Sequence, residues 1–331
     1  MCASLVAVDY SRPIQPLFDQ GQRIGTIHSV FHKAVNIAFD DTMLALLSNE
    51  LPRMPNSVRL PSVVAEELLP NLRPGMKIWV GNDRLLFPAR NFSLHLPETP
   101  AWEPRPDIAA HNWHRETVAQ HVRLLAHYLA DQAQQGGLAP LIGPLLLDQP
   151  APETPLSRMA LPKLRTLSLA SWRQDIAGVE EATRGLAGLG PGFTPSGDDA
   201  LGGFAATMAL LSPQLSADSA SRKHIATTIA AVAKPRTTAL SAVLLAHAVR
   251  GEISEQMGTL LLALSLPAGA SEAVLNAAHR VLAFGASSGG DTLLGMLLGL
   301  QALEGEGNPF PVGARVVRSG GVGLYGRPPS P

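Results

Sequence analysis

The chain has 331 residues, 46% of them hydrophobic and 16% charged, and its 26 basic side chains face 27 acidic ones for a formal net charge of -1. That balance lacks the electrostatic footprint of a nucleic-acid binder or a membrane-surface binder. The single cysteine, Cys2, excludes an internal disulfide, and no apolar run approaches the roughly 20 residues that span a bilayer. The length suggests about two domains. The expected setting is the reducing cytoplasm, with no signal peptide and no membrane contact.

Residues 1–20 carry scattered prolines and no period, and read as an irregular lead-in. A small β-rich domain is expected over 21–98. Short apolar runs recur at 26–31, 34–39 and 43–47, with Asp40-Asp41 as the turn between the last two. Residues 62–69 read as a short helix between Pro61 and Pro70. Residues 76–80, 84–87 and 92–96 read as strands, the first two joined by a tight Gly81-Asn82-Asp83 turn. Pro97, Pro100, Pro104 and Pro106 mark a proline-rich linker, bounded at 99–108.

From 109 to 305 the pattern is helical. Val118, Val122, Leu125 and Leu129 form the stripe of a helix over 111–135, which Gly136-Gly137 ends. A broken helix over 161–186 follows, then helices at 200–211, 224–233, 237–250, 252–264, 271–284 and 292–303. Gly295 and Gly299 share a face and favour close helix approach. Residues 306–331, rich in Gly, Pro and Arg, read as a flexible tail. The expected fold is α+β: a small N-terminal β-rich domain followed by a larger C-terminal α-helical bundle.

The densest chemistry lies in Gly188-Leu189-Gly190-Pro191-Gly192-Phe193-Thr194-Pro195-Ser196-Gly197-Asp198-Asp199. Glycines and prolines hold one loop shape, and the helix that follows directs its first N–H groups at whatever lies in front. Ser288-Gly289-Gly290-Asp291-Thr292-Leu293-Leu294-Gly295 overlays on residues 196–203, with Ser, Gly, Asp, Leu and Gly in register. Two similar helix starts facing one site are expected. The plain alternative is helix capping, since Ser196 with Asp199 and Ser288 with Asp291 both fit the Ser-x-x-acid pattern. The loop lacks the Gly-Lys-Ser/Thr ending of a Walker loop and the strand before a dinucleotide fingerprint. Its carboxylates repel a phosphate unless they point away, hold a cation or accept from an amide N–H.

Arg236, Thr237 and Thr238, after Lys234-Pro235, make a second candidate anion pocket or an ordinary cap with surface cations. His111, His114, His121 and His127 have no carboxylate or thiol to complete a zinc site, and read as a solvated or packed face. There is no Gly-x-Ser-x-Gly elbow, and Cys2 is a poor nucleophile, so nothing points to a covalent intermediate.

Residues 190–199 together with 288–295 resemble the AllH subunit family of oxamate carbamoyltransferase, long catalogued as a domain of unknown function. Residues 23–36, with Lys33 and Asn36, and the helix 238–251 share the likeness, which runs from about residue 20 to 305. The resemblance implies a role in allantoin-derived nitrogen catabolism, acting with two other subunits. Oxalurate and phosphate would become oxamate and carbamoyl phosphate, which carbamate kinase can use to make ATP. Arg236 beside Thr237 and Thr238 also parallels, in chemistry and not in fold, the way carbamoyltransferases grip carbamoyl phosphate.

On this reading the N–H groups near Gly190, Gly192 and Gly197, with Thr194 and Ser196, bind a small anionic or carbamoyl group. Ser288, Gly289, Thr237, Thr238, Lys33 and Asn36 complete the binding set. Asp198, Asp199, Asp291 and Arg236 are the catalytic candidates, the aspartates orienting the amide nitrogen or the loop. No cofactor or metal ligand is assigned, and Mg2+ stays open. The alternatives are a non-catalytic assembly subunit and a stand-alone Mg2+-dependent helical hydrolase or phosphotransferase.

Overall fold

The computed structural model describes residues 3–303 apart from 20, 41, 91, 97–99, 133–135 and 217. Cys2, Asp41, Pro97, the end of the 111–135 helix and the 306–331 tail lie outside the described residues. Among the described residues ten strands form one sheet: β1 (Ala3–Val6), β2 (Asp9–Ser11), β3 (Arg23–Val30), β4 (Ala34–Ala38), β5 (Met43–Ser48), β6 (Ser57–Leu60), β7 (Lys77–Gly81), β8 (Arg84–Phe87), β9 (Phe92–His95) and β10 (Ala101–Trp102). Their order is β1-β9-β8-β7-β3-β4-β5-β6-β2-β10.

That order forces the sheet to curl. β1 and β2 are parted only by Ala7 and Val8 but stand first and ninth in the sheet. Flat, they would lie about 38 Å apart at the usual strand spacing, whereas the chain between them reaches only about 10 Å. The connecting residues serve both ends: Ala7 N–H donates to His95 O at 3.2 Å and Val8 N–H to Arg59 O at 2.8 Å. Ile27, Val35, Ile37, Leu46, Val58, Val80 and Leu85 fill the inside of the curl. The β7–β8 turn is as expected, with Asn82 at φ 51° and Asp83 at φ 56°, the left-handed pair that a two-residue hairpin needs.

Two expectations are corrected. Residues 1–20 are not irregular: they hold β1, β2 and the short helix α1 (Pro16–Asp19), and bury Ile14, Leu17 and Phe18 in the sheet's core. Strands of three and four residues are too short to show a period, and the prolines there open helical turns, where the missing N–H costs nothing. The proline-rich segment likewise supplies β10, parallel to β2, and Ile108 joins the helical core. The short helix α2 (Ser62–Leu68) lies where expected.

The rest is helical: α3 (Arg115–Asp131), α4 (Ile142–Leu146), α5 (Pro155–Arg173), α6 (Ile176–Leu186), α7 (Ser196–Leu215), α8 (Ser219–Ala233), α9 (Ala239–Ala248), α10 (Glu255–Ala263), α11 (Ser271–Leu282) and α12 (Ser288–Leu303). Gln174 at φ 58° breaks α5 from α6. The α3 stripe is buried as its spacing predicts. His121 is packed beside Leu264 O (3.1 Å) and His111 beside Ser265, while His114 and His127 are exposed.

Helices α7 and α12 are apolar on nearly every side and form the centre of the bundle. They touch backbone to backbone. A Cβ on Gly203 would lie 2.1 Å from Thr292 O, and one on Gly295 1.9 Å from Ala200 O. Gly203 and Gly295 are equivalent in the overlay of the two motifs, and so are Ala200 and Thr292. The contact is therefore reciprocal, as across a local twofold axis.

Candidate functional site at the paired helix starts

The loop from Gly188 to Pro195 joins α6 to α7. Gly188 adopts φ +74° and presses against the turn at 234–236, where a Cβ would meet Arg236 O at 2.6 Å. A Cβ on Gly197 would fall 2.0 Å from Leu186 O, so the start of α7 lies directly on the end of α6. Asp198 is buried and spends both carboxylate oxygens on this architecture. Gly188 N–H donates to Oδ1 at 2.9 Å, and the Thr237 hydroxyl donates to Oδ2. Thr238 caps α9 by accepting from Ser241 N–H at 3.1 Å and donates its own proton to Phe193 O at 2.7 Å.

Helix α7 begins at Ser196, four residues earlier than its apolar pattern suggests, with Pro195 at the cap position and no side-chain cap bond. In α7 the Ser-x-x-acid pattern therefore does not supply the cap. Asp199 of α7 has the hydroxyl of Ser288, the first residue of α12, as its partner, and Asp291 of α12 has the hydroxyl of Ser196, the first residue of α7. Each aspartate reaches across to the opposite helix start. Thr194 Oγ1 lies 3.3 Å from Ser288 Oγ and ties the glycine loop to α12. Asp291 Oδ1 also accepts from Leu138 N–H.

A cavity of about 110 Å³ opens beside this junction. Its polar lining includes Asp198, Asp199, Ser241, Glu252, Ser254, Gln256, Ser288 and Thr292, and its apolar lining includes Leu244, Ile253, Met257 and Phe284. Met54 and Pro55, between β5 and β6, bring the sheet to its wall. Among the described residues no Lys or Arg lines it. Glu252 is held by His247 at 2.6 Å and Arg250 at 2.8 Å.

Burial pushes the Asp199 carboxyl well above the ordinary carboxylate range. The Ser288 and Thr194 hydroxyls pull it back, and the charges of Asp291 and Asp198 push it further up. Burial also raises Asp198 against the pull of Thr237 and Gly188, and Asp291 against the pull of Leu138 and Ser196. A carboxyl with a raised folded-state pKa contributes stability below its unfolded pKa and loses it as pH rises through the folded value. Asp199→Asn keeps the neutral shape. Its melting temperature is expected to exceed that of the wild type at pH 8 and to converge with it towards pH 4, as thermal denaturation across that range will measure. A gap that widens on acidification contradicts this.

The structure gathers Gly190, Thr194, Ser196, Gly197, Asp198, Asp199, Thr237, Thr238, Ser288, Gly289 and Asp291 around the junction. Gly192 is exposed on the same loop at φ +100°. The Arg236 guanidinium does not enter the cavity: it is exposed and donates to Val232 O at 3.1 Å, and only its main chain touches the glycine loop. Lys33 pairs with Glu50 at 2.6 Å, and Asn36 is buried in β4, donating to Ser29 at 3.0 Å. Neither lines the cavity.

The 23–36 segment meets the glycine loop through other residues. Phe193 packs edge-on against Phe31 and His28, with ring centroids 5.5 and 5.8 Å away. An aromatic side chain in an otherwise small-residue loop is the one signal of that contact in the sequence. Glu252 carries no motif and comes to the cavity only through packing, whereas Thr292 lies inside the second motif and Ser241 three residues after Thr238, neither singled out by type. Among the described residues no group of three or more His, Cys, Asp or Glu is arranged to hold a metal ion, and no helix is long and apolar enough to cross a membrane.

A curled sheet followed by a helical bundle, with one glycine–aspartate motif repeated at its two central helix starts, defines an α+β protein. Two family models match the chain: the AllH family N-terminal domain over residues 6–101, and oxamate carbamoyltransferase subunit AllH over residues 186–300, which includes both motifs. The chain belongs to the AllH family, that of a carbamoyltransferase subunit. No solved structure matches it.

Proposed function

We propose that this chain is a subunit of a cytoplasmic carbamoyltransferase that interconverts oxalurate plus phosphate with oxamate plus carbamoyl phosphate, in allantoin-derived nitrogen catabolism. It works with two other subunits, and the cavity at the paired helix starts receives the carbamoyl-bearing substrate. The observation that carries this reading is the convergence of Asp199, Ser241, Ser288 and Thr292 on one cavity that, among the described residues, no Lys or Arg lines. Such a lining suits the N–H and C=O groups of a carbamoyl or amide head better than a bare phosphate. Transfer to phosphate needs positioning and donors for the developing oxyanion, and no covalent nucleophile. The turns at Gly190, half-buried, and Gly192, exposed, offer main-chain N–H groups to an anionic end, and Arg236 stands beside the same loop.

Calorimetric titration of the purified chain with oxamate and carbamoyl phosphate tests this. Asp199→Asn is expected to weaken binding about 10- to 100-fold, the worth of one charged hydrogen bond, and to abolish turnover of the assembled enzyme while circular dichroism stays unchanged. Unaltered binding and turnover remove Asp199 from the site. The exposed position of Arg236 favours one further reading, a non-catalytic assembly subunit. In that case ligand binding appears only when the partner chains are present.

A further inference from the structure

The cavity at the paired helix starts has two unlike ends. Helices α7 and α9 flank it and run side by side in the same direction. Thr237, just before α9, donates to Asp198 at the start of α7, and a Cβ on Gly251, just after α9, would lie 2.7 Å from Leu210. Each helix brings polar residues to the cavity in its first turn, Asp198 and Asp199 on α7 and Ser241 on α9. Beyond them the lining of both helices is apolar as far as Ala206 and Ala248, about 10 Å further on. Helix α7 contributes only Gly202, Gly203 and Ala206 to that stretch, and a Cβ on Gly202 would meet nothing within 4 Å, so small residues keep the space open. Leu244 and Leu245 of α9 face it as the wall.

The sealed polar atoms that lack a partner lie at one end. Ser241 Oγ and Asp199 Oδ2 are closed off from solvent without a hydrogen-bond partner among the described residues, and Ser241 is 2% exposed. Such atoms are costly inside a protein and call for a partner. Towards the other end Glu252 Oε2 is taken by His247 and Arg250, and Ser254 Oγ caps α10 by accepting from Met257 N–H at 3.3 Å. Ile253 and Met257 extend the apolar wall there, and Phe284, 37% exposed, stands at its rim.

We propose that this cavity takes a small amphipathic molecule, with a carbamoyl or amide head at Asp199 and Ser241 and a short hydrocarbon chain running along α9 towards Ile253 and Met257. The proposal rests on the cavity being a carbamoyl site and widens its substrate class, because oxalurate is polar throughout and leaves the apolar wall unmatched. A head with both N–H and C=O groups serves a carboxyl oxygen and a hydroxyl together. An apolar wall holds water poorly and gains from hydrocarbon laid against it. The class of ligand is therefore an N-alkyl ureido or amide compound.

The experiment is a titration of the full-length chain with alkylureas of growing length, from methylurea to butylurea, followed by ligand-observed NMR. Affinity is expected to rise about fourfold with each methylene, the worth of burying one CH2 group. Leu244→Ser, in the half-buried wall, and Phe284→Ser, at the rim, are expected to flatten the series, whereas Val63→Ser, 75% exposed on α2, leaves it as in the wild type. Should Leu244→Ser fail to fold, Phe284→Ser still decides. An affinity that does not rise along the series, or a gain unchanged in the wall variants that fold, overturns the proposal. Butanol binding as tightly as butylurea takes the head out of the site and refutes the carbamoyl reading and the amphipathic ligand together. Oxamate binding with no gain along the alkylureas refutes the amphipathic ligand alone.

Discussion

Gly295→Ala is expected to destabilise the chain by about 3 kcal/mol or more, the upper end of what overpacking costs, while Gly202→Ala stabilises it by about 1 kcal/mol through helix propensity. The opposite signs follow from what each new methyl meets. On Gly295 it would sit 1.9 Å from Ala200 O, a main-chain atom that moves only if α7 and α12 separate along their contact. On Gly202 nothing lies within 4 Å, and the backbone is already helical. The open space beyond Gly202 is the cavity, which this residue lines. Gly202→Ala is therefore expected to raise the melting temperature while weakening ligand binding, a separation of stability from function. Thermal and urea denaturation of both variants, with a calorimetric titration of the second, provide the check. Shifts of equal sign would falsify the backbone-contact account.

Asp9→Asn is expected to cost about 3–5 kcal/mol, the loss typical when a buried ion pair is broken from one side. Asp9 and Arg59 are 5% and 8% exposed. Arg59 Nε donates to Asp9 Oδ1 at 2.8 Å, and Arg53 Nε donates to Oδ2 at 3.0 Å. Arg53 also binds Glu255 Oε1 at 2.5 Å, and its carbonyl accepts from Glu255 N–H at 3.0 Å, so the cluster fastens the curled sheet to α10. Burial alone would raise the Asp9 carboxyl, but the guanidinium groups of Arg59 and Arg53 outweigh it and hold the carboxyl below the ordinary range. A lowered folded-state pKa means that the stabilisation is present above the unfolded pKa, near 4, and is lost as pH falls through the folded value. Urea titrations are expected to show a large gap between wild type and variant at pH 7 that narrows in acid. A constant gap shows that the charge plays no part.

The parts of this fold legible in the sequence are those long enough to repeat a period or marked by turn chemistry. β3 alternates over eight residues, β4 and β5 are apolar-rich runs of five and six, and Asn82-Asp83 is a hairpin turn by its own conformational preference. β1, β2 and β10 have two to four residues each and draw their stability from partners distant in the chain, which no local pattern records. At the candidate site the paired motifs were legible as two similar helix starts. Their pairing was not: Ser196 with Asp199 reads as a cap along one helix, and only the crossing of α7 and α12 shows that each acid serves the other start. Lys33, Asn36 and Arg236 were chosen for chemical type, and burial and local partners place their side chains elsewhere. Glu252 reaches the cavity by packing alone.

The closure of the sheet also sets an order of events during synthesis. β1 and β2 are made before the strands they join: β1 has to wait for β9, and β2 for β6 and β10. Until residue 95 has been translated β1 has no strand to pair with, and until residue 102 β2 lacks its parallel neighbour β10, so the nascent sheet remains an open ribbon. Exposed strand edges are where nascent chains pair wrongly, and contacts between remote segments form slowly. The first dozen residues thus act as a latch that arrives early and locks late, and an extension or truncation there is expected to reduce the yield of folded chain before it touches the helical half.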